Sequence, residues 1–270
     1  MTTSATPDPE GQFTKGMTTF VMNQTKRTFF VALKVRDSPH GLAGLAALIA
    51  GTNLKVISGQ LSAAEGGSIL SFFAETEKTG VLVQELTDRL SKLEGVTQVA
   101  VEEDTDGFAV DTTGSRFEGS LGERSIPFRQ KSLLSMFTMM RRQFGSGGEV
   151  ILFEEGRKMG GDTGKVLRSA LGPDFVSKHM DRVLSVWSAA GWGVLRLDSY
   201  DPVAPSVTLA IKDSFECTGL KSDRPTSQLF RGHLEGAVSA LLGSRLKCQE
   251  TACVATGAEE CLFVLRGEDA

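Results

Sequence analysis

Cys248, Cys253 and Cys261, three of the four cysteines of this 270-residue chain, fall within fourteen positions near its end, beside Glu250; the fourth, Cys217, lies upstream. Thiolates with an optional carboxylate are ligands that Zn2+ takes in tetrahedral sites. The same residues could form a redox pair, or be small thiols packed in the core of a strand pair. The glycine of "VATGAEE" lets the chain reverse, which makes Cys253 and Cys261 cross-strand neighbours. Glu250 lies three residues before Cys253. Period-2 alternation puts the two on opposite faces, so a bend is required between them.

No other constellation offers chemistry as direct. "GRKMGGDTGKV" has glycines and Lys165, but Val166 follows the lysine, so it lacks the phosphate-loop spacing. There is no GxSxG elbow, no Ser–His–acid set and no nicotinamide or flavin fingerprint, and the enzyme reading is the weaker one. A net charge of −4 argues against nucleic acid as the main partner. The doublet Arg141–Arg142 reads as a solvated face.

No apolar run reaches the ~18 residues a membrane helix needs. The polar opening "MTTSATPDPEGQFTKGM" has no secretory apolar core. A cytoplasmic, reducing setting with no membrane contact is expected, where cysteines act as thiols or metal ligands. Residues 1–27 read as a disordered tail.

Residues 28–103 carry alternating strand patterns at "TFFVALKV", "NLKVISGQL", "SILSFFAE" and "VTQVAVEE". Helices follow the first and third, the second with Leu82, Leu86, Leu90 and Leu93 at helical spacing. The order βαββαβ is ferredoxin-like: four strands with two helices on one face and the other face left for a partner. Residues 104–127, rich in Gly, Ser, Thr and acids, read as linker.

From 128 to 266 an α/β domain with an antiparallel sheet and packed helices is expected, making the chain α+β overall. "KSLLSMFTMMRRQFG" predicts a helix with Leu133, Leu134, Phe137, Met140 and Phe144 inward, "EVILFEEG" a strand, and "DTGKVLRSALG" a short helix. "GPDFVSKHMDRVLSVWSAAG" predicts one helix opened by Pro173, with Val176, Met180, Val183, Leu184 and Trp187 on a stripe. Two strands, the helix "TSQLFRGHLEGAVSALLG" and two last strands complete the domain.

With "DSPHGLAGLAALIAGTNLKVISGQ" in place, residues 28–103 resemble an ACT domain, a regulatory module that binds amino acids at a dimer interface. The resemblance implies a homodimer and a site at Asp37, His40, Gly41 and Asn53, where N–H groups at a helix start hold a carboxylate. His40 stands where that family has glycine, and a side chain there crowds the ligand.

Residues 128–266 resemble the 4-vinyl reductase domain, whose fold is shared with transport-particle subunits and aromatic-sensing bacterial activators. The matching residues are "DSFEC", "FRGHLEGAVSALLG" and Glu-x2-Cys-x7-Cys at Glu250, Cys253 and Cys261. In metal-binding relatives these residues hold a structural zinc with one upstream cysteine. That cysteine's position is Ser227 here, leaving Cys217, Cys248 or water to complete the set; Cys217, Glu250, Cys253 and Cys261 is the quartet expected.

The resemblance further implies a pocket for a small apolar or aromatic ligand, drawn from Met136, Met140, Trp187, Trp192, Phe215, Phe230 and His233. In phenol-sensing relatives a His and a Trp hold the ligand hydroxyl; the nearest positions here are Trp187 and Ile211, so that grip is missing. The reading is a ligand-binding regulatory protein. The alternatives are an enzyme or accessory factor of tetrapyrrole metabolism and a non-catalytic assembly module.

Overall fold

A computed structural model describes residues 17–23, 25–36, 39–52, 54–76, 83–104, 106–114, 117–119 and 123–267. The chain divides into two compact units, Met1–Ile126 and Pro127–Ala270.

The first unit runs β1 (Phe20–Met22), β2 (Arg27–Val35), α1 (Pro39–Thr52), β3 (Lys55–Ala64), β4 (Gly67–Thr76), α2 (Val83–Ser91), β5 (Val96–Asp104), β6 (Phe108–Val110) and the two-residue pair β7 (Phe117–Glu118) and β8 (Arg124–Ser125). Its main sheet has the order β3-β4-β2-β5, all antiparallel, which is the ferredoxin-like order. Phe29, Val31, Leu33 and Val35 alternate onto one face and pack with Leu45 and Leu48 of α1 and Leu86 and Leu90 of α2. Asp37 and Asn53 lie outside the described residues. His40 and Gly41 fall within α1, which begins on Pro39, and the His40 side chain also lies outside what is described.

The other sheet face is not left open along its length. Phe30, Ala32 and Phe73 are covered by Val21 of β1 and Ala109 of β6. These two short strands pair antiparallel, with Val21 opposite Ala109. β1 lies in the stretch expected to be tail and β6 in that expected to be linker. Three-residue strands carry too little periodicity to be read alone.

The second unit runs α3 (Gln130–Phe144), α4 (Ser146–Leu171), α5 (Pro173–Lys178), α6 (Met180–Ala189), β9 (Val194–Asp201), β10 (Ser206–Lys212), α7 (Gln228–Leu242), β11 (Leu246–Ala252) and β12 (Cys261–Gly267). The sheet order is β11-β12-β10-β9, antiparallel throughout. The stripe from Val176 to Trp187 is buried as expected, although the chain breaks it into α5 and α6 at His179. On α3 only Phe137 is buried, and Phe144, expected inward, is 58% exposed.

The largest departure is α4. "EVILFEEG" is not a strand, and "DTGKVLRSALG" is the end of the same 26-residue helix. A short apolar run does not distinguish strand from helix, and tertiary packing decides here. Gly156, Gly160 and Gly164 face Gly232 and Gly236 of α7 so closely that a methyl at Gly156, Gly160, Gly232 or Gly236 would lie 2.0 Å from a backbone oxygen of the facing helix. Small residues at four-residue spacing let two helix backbones touch, with Cα–H···O contacts between them.

Adjacent glycines of α4 should therefore answer the same substitution with opposite signs. Gly160→Ala is expected to destabilise the protein by about 2 kcal/mol through overpacking. Gly161→Ala, whose added methyl has its nearest neighbour at 4.0 Å, should stabilise it by up to about 1 kcal/mol through helix propensity. Denaturant unfolding of the two variants tests this.

Candidate metal centre and aromatic cage

The final hairpin provides the bend that Glu250 needs. Along β11 the register shifts between Glu250, opposite Phe263, and Ala252, opposite Leu262. The extra residue is a β-bulge, and it turns Glu250 and Cys253 onto one face. A single 3-10 turn, Val254–Thr256, then reverses the chain, with Gly257 at φ 100°, and Cys261 opens β12. The turn between β10 and α7 brings in Cys217 from the other side.

One donor atom from each of Cys217, Glu250, Cys253 and Cys261 lies within 4.8 Å of every other. The three cysteines are fully buried, and their sulfurs are not bonded in disulfides. Sγ–Sγ separations are 3.6 Å for Cys217–Cys253 and 3.9 Å for Cys253–Cys261. A tetrahedral ion ~2.3 Å from each sulfur sets them about 3.8 Å apart, so the spacing fits. Thiolate-rich sets of this kind suit Zn2+. Cys248, the other candidate ligand, is buried in the core outside this quartet.

Ser227, at the start of α7, holds the quartet together. Its hydroxyl donates to Glu250 Oε1 at 2.7 Å and lies 2.9 Å from Cys217 Sγ, and its N–H donates to Glu250 Oε2 at 3.3 Å. The Val254 N–H donates to Cys261 Sγ at 3.3 Å.

Four acids so close and so buried do not ionise together. Burial pushes the Glu250 carboxyl up to about 8, and the hydrogen bond with Cys253 pushes the Cys217 thiol up to about 12. Hydrogen bonds with Cys217 and Cys253 raise Cys261 further, whereas those with Cys217 and Cys261 draw Cys253 down. A bound divalent cation offsets these penalties, because a coordinating thiol is deprotonated outright.

A second cluster sits on the next turns of α7. Trp187 Nε1 donates to His233 Nε2 at 2.6 Å. His233 is 2% exposed, and burial lowers its pKa to about 4, so the ring is neutral. With Nε2 accepting, Nδ1 carries the proton, and Nδ1 has no partner. Trp192 lies 4.6 Å from the His233 ring, and Phe215 and Phe230 complete the cage at 5.0 and 5.7 Å from Trp192.

Five of the seven residues expected in the pocket therefore meet. The other two, Met136 and Met140, lie on α3, and Met136 is 45% exposed. Ile211 is buried in β10, and the Trp–His pair that aligned positions denied is made instead by Trp187 and His233, 46 residues apart.

Arg141 was also hidden. Its guanidinium donates to the buried Glu216 carboxylate at 2.8 Å, to the Thr226 carbonyl at 2.7 Å and to the Gln228 side chain. Glu216 in turn accepts from the N–H groups of Leu229 and Phe230.

With this geometry, the chain is a two-unit α+β protein. Residues 207–267 match the model of the vinyl-4-reductase domain family, a span running from β10 through the quartet to β12. A search of curated protein sequences finds no match. Among solved structures, the phenol-responsive sensory domain of the transcription activator PoxR, with phenol, is 18% identical, covering 56% of this chain and 84% of that one, at a TM-score of 0.47. A vinyl-4-reductase family protein from Methanocaldococcus jannaschii is 16% identical, covering 53% and 83%, at 0.37. The ACT domain of a GTP pyrophosphokinase from Chlorobium tepidum is 18% identical, covering 29% and 100%, at 0.26.

Two outcomes are expected. Elemental analysis should find about one zinc per chain, lost in Cys253→Ser and in Cys217→Ser, and restored to the latter by adding Ser227→Cys. The second outcome concerns acid. Below pH about 6.5 the unfolded chain protonates His233, while the folded chain refuses that proton until about pH 4. The residue's contribution to stability thus falls as pH drops through this window, by about 3 kcal/mol in all. Glu216, pushed up to about 7 by burial, acts in the opposite sense. The test is therefore the difference between the stability–pH curves of the wild type and His233→Gln.

Proposed function

We propose that this protein is a non-catalytic, small-molecule-binding regulator. Its C-terminal unit holds an aromatic or apolar guest in the cage of Trp187, Trp192, Phe215, Phe230 and His233. One observation carries the reading: a neutral, buried histidine presents an unsatisfied N–H among aromatic rings. An unmade hydrogen bond in such a place costs roughly 1–3 kcal/mol, and a guest with an oxygen acceptor removes that cost. The aromatic faces supply apolar contact, and the single donor fixes orientation, the usual division of labour in ligand sites. Phenol as bound to the PoxR sensory domain has the required chemistry.

The quartet serves this site as a structural zinc centre. Zinc supplies a cross-link that ties the last hairpin to the loop before α7 and contributes folding energy directly. Cys217, Cys253 and Cys261 would hold it as thiolates, Glu250 through one oxygen, and Ser227 would orient that carboxylate. The N-terminal unit is read as ACT-like, pairing two chains and receiving an amino acid near Asp37, His40, Gly41 and Asn53. Its βαββαβ order supports that reading.

Calorimetry against phenols, aryl ketones and their deoxygenated analogues tests the cage. Oxygenated aromatics should bind, and His233→Phe should weaken them roughly tenfold without affecting the hydrocarbons. Equal binding of both classes by the wild type would overturn the role given to His233.

A further inference from the structure

The turn from Asp213 to Cys217 belongs to both sites. Asp213 is the one non-glycine residue with positive φ among those described, at 50°. Ser214 is fully buried, its hydroxyl without a partner. Phe215 is half-buried on the cage and donates its N–H to the Trp192 carbonyl at 3.0 Å. Glu216 caps the start of α7. Cys217 enters the quartet.

Trp192 forms the other half of the cage's outer wall. It is half-buried over His233 and sits between Gly191 at φ 82° and Gly193 at φ 134°. Neither backbone position suits a residue with a side chain. Such a pair of glycines is a natural hinge. Trp192 and Phe215, ring centroids 5.0 Å apart, thus lie between solvent and the His233 donor, and one of them is two residues from a metal-ligating sulfur.

We propose that metal bound at Cys217 holds this aromatic lid closed, so that metal occupancy sets access to the cage; this rests on both the metal and the cage readings above. Without metal, Cys217 is held by weak thiol contacts to Cys253, Ser227 and Thr226. Metal coordination replaces them with a bond that fixes the turn and, through Phe215 and its hydrogen bond to Trp192, the hinge. Linkage makes the effect reciprocal: a guest that opens the lid weakens metal binding by the same factor.

Hydrogen exchange followed by mass spectrometry on the full chain, metal-stripped and with one equivalent of zinc, tests this without a guest. Zinc should slow exchange in 190–193 and 213–217 by roughly fivefold or more, alongside the 250–261 hairpin. Zinc uptake with protection confined to the hairpin overturns the proposal and leaves the metal centre intact. No zinc uptake by elemental analysis overturns both. In Cys217→Ser with Ser227→Cys, zinc-loaded protein should exchange at 190–193 and 213–217 as fast as metal-stripped wild type. Continued protection there would show that Cys217 is not the link, and that too overturns the proposal. If this variant takes up no zinc, the wild-type comparison decides alone.

Discussion

α7 is buried on nearly every side, and a helix so placed must satisfy its first N–H groups without water. Glu216 does this from outside the helix, with its carboxylate on Leu229 and Phe230. Burying that anion is costly unless it is paired, and Arg141 of α3 supplies the cation. One polar knot therefore sets where α7 begins. Ser227, Phe230 and His233 follow from that start, and with them the geometry of the quartet and the cage.

The opposite face of the same helix explains why the knot cannot shift. Gly232 and Gly236 lie in backbone contact with α4, so a slide of even one residue would drive side chains into carbonyls. Close packing of this kind has discrete arrangements and few intermediate ones. The helix is fixed along its length by shape and at its end by charge. The two sites at that end are accordingly built from a rigid helix and two more adaptable turns, 190–193 and 213–217.

Much of this was legible in the sequence, and the limits are physical. Strand alternation from Phe29 to Val35 and the stripe from Val176 to Trp187 each report one buried face, and periodicity records that directly. The run "EVILF" could not be resolved, because the evidence that it is helical lies in the glycines of a second helix about 75 residues away. The Gly-x3-Gly spacing in both "GRKMGGDTG" and "GHLEG" was the available signal. Glu250 announced its bend through broken alternation, and the bulge is that bend. The Trp187–His233 bond left no trace, since nothing local relates positions 46 apart. Arg141 looked like surface because a charge pair is invisible until both partners are placed.

The β1–β6 ribbon has a bearing on where the first unit ends. Its strands come from either side of the ferredoxin-like core, 20–22 before it and 108–110 after it, and together they roof Phe30, Ala32 and Phe73. Trimming the chain to the familiar βαββαβ boundaries would strip that roof and bare a row of aromatic rings to water. The autonomous folding unit is thus larger than its topology suggests, and its two extremities are stitched to each other.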